Sequence, residues 1–109
     1  MRNLLFIFAL LFLSFPLFAQ NTQTIRGKIV DKETKIPLPA VVTLYSDSSM
    51  VTGASADLDG NYKMKDIPVG RYTLRVQYLG YLPVSIPNII VNSGKENIIA
   101  IEMEQSVVQ

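Results

Sequence analysis

The chain has 109 residues, ten basic and nine acidic, with no Cys and no His. This composition excludes a Ser-His-Asp triad, a Cys nucleophile and a zinc site built from His and Cys. The near-balanced charge gives no electrostatic footprint for nucleic acid, and the length allows one small domain.

The first 19 residues stand apart. Arg2 supplies a short positive start, and residues 4–13 are unbroken apolar. Ser14, Pro16 and Ala19 then loosen the segment before polar residues begin at Gln20. This is the layout of a secretory signal peptide, with cleavage expected after Ala19. An uncleaved membrane anchor is the other reading of so long an apolar stretch. Pro16 and the small residue at the boundary favour removal. All five Phe lie in this segment, so Tyr is the only aromatic of the remaining 90 residues. An exported domain of that size without Cys must be held by its core, not by disulfides.

Period-two alternation dominates the rest, and no helical stripe is sustained. A first strand is expected over 25–30, with Ile25, Gly27 and Ile29 on one face and Arg26 and Lys28 on the other. Residues 31–35 form a charged turn. Pro37 and Pro39 keep 36–40 extended without a full hydrogen-bond ladder. β-Branched residues mark a second strand over 41–45, and small side chains a weaker third over 50–56. Asp57-Leu58-Asp59-Gly60-Asn61 predicts a type I turn, with Gly60 left-handed, joining two antiparallel strands. The fourth strand puts Tyr62 and Met64 on one face, Lys63 and Lys65 on the other. After a turn at 66–70, the fifth alternates Tyr72, Leu74, Val76 and Tyr78, facing a core, with Arg71, Thr73, Arg75 and Gln77, facing water. Gly80 breaks the pattern. A sixth strand over 82–86, limited by Pro83 and Pro87, belongs at a sheet edge, and 88–91 continue extended. A turn at 92–95 leads to a last strand over 97–103, with Ile99, Ile101 and Met103 inward. Short strands at this spacing predict an all-β, seven-stranded antiparallel sandwich of two sheets. The tail, 104–109, shows no pairing pattern.

The side chains that could carry chemistry are few. Asp57, Asp59 and Asn61 suggest calcium ligands, but Gly60 is fourth where the calcium loop needs it sixth, and Pro68 stands at the twelfth position. A turn in which Asp side chains accept from backbone amides is expected instead. Asp31 with Glu33, or Glu102 with Glu104, would need to face one cleft to act as an acid–base pair. Each pair lies in a turn or at a strand end, where carboxylates are solvated. No catalytic, cofactor-binding or metal-binding residue is therefore assigned. Tyr62, Tyr72 and Tyr78 fall at core positions, where a buried hydroxyl needs a partner. Tyr81, past the Gly80 break, is the aromatic placed for surface contact. Lys63, Lys65, Arg71 and Arg75 are expected to form a basic stripe on neighbouring strands. A solvated sheet face is the simple reading of that stripe, and a docking surface for an acidic partner the sharper one.

Five segments follow one another in order: Gly27-Lys28-Ile29-Val30-Asp31, Pro37-Leu38-Pro39-Ala40-Val41-Val42, Ala56-Asp57-Leu58-Asp59-Gly60-Asn61-Tyr62, Ile67-Pro68-Val69-Gly70-Arg71-Tyr72-Thr73-Leu74 and Tyr78-Leu79-Gly80-Tyr81. Together they resemble the carboxypeptidase regulatory-like domain, a transthyretin-like (prealbumin-like) β-sandwich, over about residues 24–103. Ala40 departs from the Gly that the family often has there. The resemblance implies a domain over 20–103 that is an accessory module and no enzyme. Behind a signal peptide, the Tyr78–Tyr81 version is similar to the N-terminal extension of TonB-dependent outer-membrane receptors, which import nutrients, often glycans. It implies a periplasmic or outer-membrane location and a protein partner in the cell envelope, with a glycan as a further ligand class. Membrane association would come through a downstream region, to which 104–109 would be a tail or the start of a linker, or through a partner. The alternatives are a stand-alone binding module for a glycan or protein, and a regulatory module of a peptidase.

Overall fold

The computed structural model describes residues 21–106, so the expected signal segment and the last three residues lie outside it. Eight strands run in chain order: β1 (Thr22–Asp31), β2 (Val41–Ser46), β3 (Ser49–Ser55), β4 (Asn61–Pro68), β5 (Gly70–Gln77), β6 (Val84–Val91), β7 (Asn97–Ile98) and β8 (Ile101–Met103). They form two sheets. One has the order β4-β1-β7, with β8 also pairing β1; the other has the order β3-β2-β5-β6.

The alternation sets which face is buried. Ile25, Ile29, Tyr62, Met64, Ile101 and Met103 of the first sheet meet Val42, Leu44, Tyr72, Leu74 and Val76 of the second in one core. In β5 the buried residues are Tyr72, Leu74 and Val76, while Arg71, Arg75 and Gln77 are exposed. Each aliphatic side chain removed from water in this way stabilises by about 1.5–3 kcal/mol.

Three particulars differ from the expectation. The last strand is split, which makes the count eight, and both halves pair β1 in parallel. The sheet is therefore mixed rather than wholly antiparallel. The split is caused by a residue distant in sequence. The carbonyl of Ile99 turns toward Gly27, where a Cβ would stand only 1.9 Å from it. There it accepts the Tyr62 hydroxyl at 2.6 Å, while the Ile99 N–H donates to Arg26. A carbonyl turned inward cannot serve a regular ladder.

The second difference is the turn at 57–61. It has the predicted chemistry: the Gly60 N–H donates to the Asp57 carbonyl, and φ at Gly60 is +79°. Asp57 Oδ1 accepts from the Asp59 and Asn61 amides, both at 2.9 Å. Yet it joins no hairpin. β3 pairs β2 and β4 pairs β1, so the turn carries the chain from one sheet to the other. Turn residues specify a reversal, not the partner of each strand.

The third is at the end of the chain. Leu82 N–H donates to the Glu104 carbonyl and Ser106 N–H to the Gly80 carbonyl, with Gln105 bridged to Tyr81. Residues 104–106 thus pair with the loop after β5. The sixth strand lies at a sheet edge as expected, but it runs over Val84–Val91, through Pro87 instead of ending before it. β6 pairs only β5 and bulges near Pro87, with Asn88 at φ 60°.

Candidate functional site

One end of the sandwich is organised by Asp31, the last residue of β1. The residue is 2% exposed, although the segment that follows is charged and solvated. Oδ1 accepts from the Glu33 and Thr34 amides at 2.8 and 3.0 Å, closing the turn. Oδ2 accepts from the Tyr81 hydroxyl at 2.7 Å and from the Gln105 amide at 3.0 Å. The Thr34 amide, then Tyr81 and Gln105, hold this carboxyl well below the usual carboxylate range, against a smaller opposing effect of burial. The same bond to Asp31 pushes the Tyr81 hydroxyl up. A buried anion with four donors is a structural tie. It fastens β1, the loop after β5 and the chain end into one unit.

Tyr81 is therefore half-buried, with its hydroxyl turned inward. Its ring lies 5.7 Å from that of Tyr78, tilted by 36°. Beside these rings, Pro39, Val41, Gln77, Leu79 and Pro83 complete a groove of about 530 Å³. No charged side chain lines it. Leu79 at the tip of the loop is 95% exposed, and Leu82 and Val41 are about half exposed. A loop pinned by Asp31, Glu104 and Ser106 thus displays apolar side chains to water.

The four cations of the expected stripe do not sit together. Lys63 and Lys65 are on β4 and face out from the β4-β1-β7 sheet; Arg71 and Arg75 are on β5 and face out from the other sheet. The expectation of neighbouring strands fails because the chain changes sheets at Val69. Alternation assigns a residue to the outside without saying which outside. Arg75 lies over the Tyr45 ring, 5.9 Å from its centre. The true neighbours of Lys63 are Arg26 and Lys28 on β1, which the sequence reading left out of the site. Arg26 is directly opposite Lys63 in the β1–β4 register. Those two cations are visible as outward positions of the first strand, but only the strand pairing brings them to Lys63.

Three of the four carboxylates considered for acid–base work, Asp31, Glu102 and Glu104, have other partners. Glu102 pairs with Lys35, and Glu104 with Lys32 at 2.8 Å. Both oxygens of Asp31 are taken by the donors above. Among the described residues, no three His, Cys, Asp or Glu side chains gather as metal ligands.

Comparison with known proteins gives one family and several folds. The CarboxypepD_reg-like domain family matches residues 25–109. No curated protein matches the chain. Among solved structures, a proposed carbohydrate binding protein from Bacteroides uniformis is similar, with a TM-score of 0.61 at 16% identity over 74% of this chain. A type II cohesin–X-dockerin complex from Acetivibrio cellulolyticus has a TM-score of 0.58 at 24% identity over 74% of the chain. The pilus 2b backbone protein of group B streptococcus has 0.58 at 17% over 76%. The matched region spans 40%, 56% and 41% of those three chains respectively. At such identities the likeness is one of fold: a two-sheet β-sandwich.

Proposed function

The chain belongs to the CarboxypepD_reg-like domain family, and on that premise we propose that it is a non-enzymatic binding module of the bacterial cell envelope. It docks a protein partner through the groove beside Tyr78 and Tyr81. The carrying observation is Leu79, 95% exposed on a loop tied down from both sides. A mobile loop would hide a leucine by collapsing; a pinned one keeps it in water until a partner covers it. An uncharged lining selects an uncharged, apolar contact, and rigidity lowers the ordering cost of binding. Tyr81 acts there through its ring face, because its hydroxyl is held by Asp31. Export to the periplasm and a place at the N-terminus of a TonB-dependent receptor complete the reading.

The test is a photo-crosslinking residue placed at position 79, with exposed position 95 as control, in cells making the full encoded protein. An adduct with one envelope protein at 79, lost when Val41→Asp is added in the groove lining, supports the groove. Equal adducts from both positions, or none from 79, refute it. Reading the coding DNA past Gln109 separates receptor from independent module. An in-frame plug and barrel supports the former.

A further inference from the structure

The outer face of the β4-β1-β7 sheet carries a charged feature that the end groove does not use. Arg26 and Lys63 are directly opposite in register, and Lys28 is opposite Asn61, one diagonal step from Lys63. Like charges facing each other across a strand pair are destabilising. Glu96 relieves this in part, at 2.8 Å from Arg26 and with a weaker attraction to Lys63. Among the described residues, Lys28 and Lys63 make no ion pair. The three cations line a concavity of about 710 Å³ together with Ser55, Asp57, Asn61 and the exposed Ile98. That volume falls within the range of small-ligand sites, about 300–1,000 Å³.

We propose that this concavity binds a carboxylate-bearing polysaccharide. Cations alone would suit any anion, but here they share the lining with the Ser55 hydroxyl, the Asn61 amide and the Asp57 carboxylate, whose Oδ1 is held by its own turn. These groups match a ligand rich in hydroxyls. Outward residues on one strand repeat every ~7 Å, so Arg26 and Lys28 can each meet a separate carboxylate of an extended polyanion. An acidic peptide would instead find its hydrogen bonds at a sheet edge. A phospholipid surface would need a flat face rather than a concave one. The bound carboxylates would offset the repulsion between Arg26, Lys28 and Lys63 that the free domain carries.

The probe is polygalacturonate, with its fully methyl-esterified form as a neutral counterpart, titrated calorimetrically at low salt into the folded domain. The acid form binds at least tenfold more tightly than the ester, and its affinity falls as salt rises. The double variant Lys28→Thr/Lys63→Thr weakens binding at least tenfold while its thermal midpoint holds or rises, because threonine suits an exposed strand. The charge-matched Arg71→Thr/Arg75→Thr, on the outer face of the other sheet, leaves the affinity unchanged, and crosslinking at position 79 tests the end groove separately. Equal binding of the ester, polyglutamate binding as tightly as polygalacturonate, no heat with polygalacturonate, or an unaffected double variant would each overturn the assignment.

Discussion

At the scale of single residues, Asp31 is the most consequential side chain outside the apolar core. Its four hydrogen bonds are made to the ionised form, so the folded carboxyl lies below its unfolded value of about 3.9. A group depressed in this way contributes stability that is fully present above the unfolded value. It is lost as pH falls through that value toward the folded one. Urea midpoints of the wild type should therefore be flat near neutrality and drop below about pH 4. Asp31→Asn should be less stable at pH 7 and have a shallower acid limb, so that the two curves converge at low pH. Parallel curves would mean that the carboxylate is not the acceptor. Tyr62→Phe probes another buried bond, since it leaves the Ile99 carbonyl without its hydroxyl donor. A buried acceptor left unpaired costs about 1–3 kcal/mol, readable as a lower urea midpoint with an unchanged slope.

At the scale of elements, β5 was the most legible part of the chain. Its strict alternation named Tyr72, Leu74, Val76 and Tyr78 as core; the first three are buried, while Tyr78, just past the end of β5, is half-buried beside the end groove. Leu74→Ala should cost about 2–5 kcal/mol. Arg75→Ala should cost within about 1 kcal/mol, since it loses only an exposed contact with the Tyr45 ring. Comparable losses on denaturation would mean the faces are misassigned. The split of the last strand was illegible for a definite reason. It depends on the absence of a side chain at Gly27, more than 70 residues away in sequence, and no local pattern in 97–103 records that. The basic stripe was misread for a related reason. Lys63 and Arg71 are close in sequence and both point outward, but a single residue, Val69, separates two sheets. Asp31 was read as one charge of a solvated turn because its partners Tyr81 and Gln105 arrive from the far end of the chain. Gly27→Ala should cost about 1–3 kcal/mol, as insertions into a filled site do. Gly94→Ala, where a Cβ meets nothing closer than 3.7 Å, should be nearly neutral.

At the scale of the whole domain, the path of the chain matters more than any contact. It starts in one sheet at β1, crosses to β2 and β3, returns for β4, crosses again to β5 and β6, and returns for β7 and β8. Neither sheet is a continuous stretch of sequence, so neither can be completed before the other is nearly formed. Asp31 strengthens the coupling by joining β1, the loop after β5 and residue 105. Unfolding should therefore be a single cooperative step. The buried tyrosines report on both layers, Tyr62 from one and Tyr72 from the other. Tyrosine fluorescence and far-UV circular dichroism should give coincident urea transitions, as two-state behaviour requires. Contacts between distant strands close large loops before they are rewarded, so refolding should be slow for the size, in milliseconds to seconds. Two resolved transitions would show that one layer persists without the other. The rigid presentation of Leu79 would then lose its basis, because the loop is pinned only while β1, β5 and the chain end are folded together.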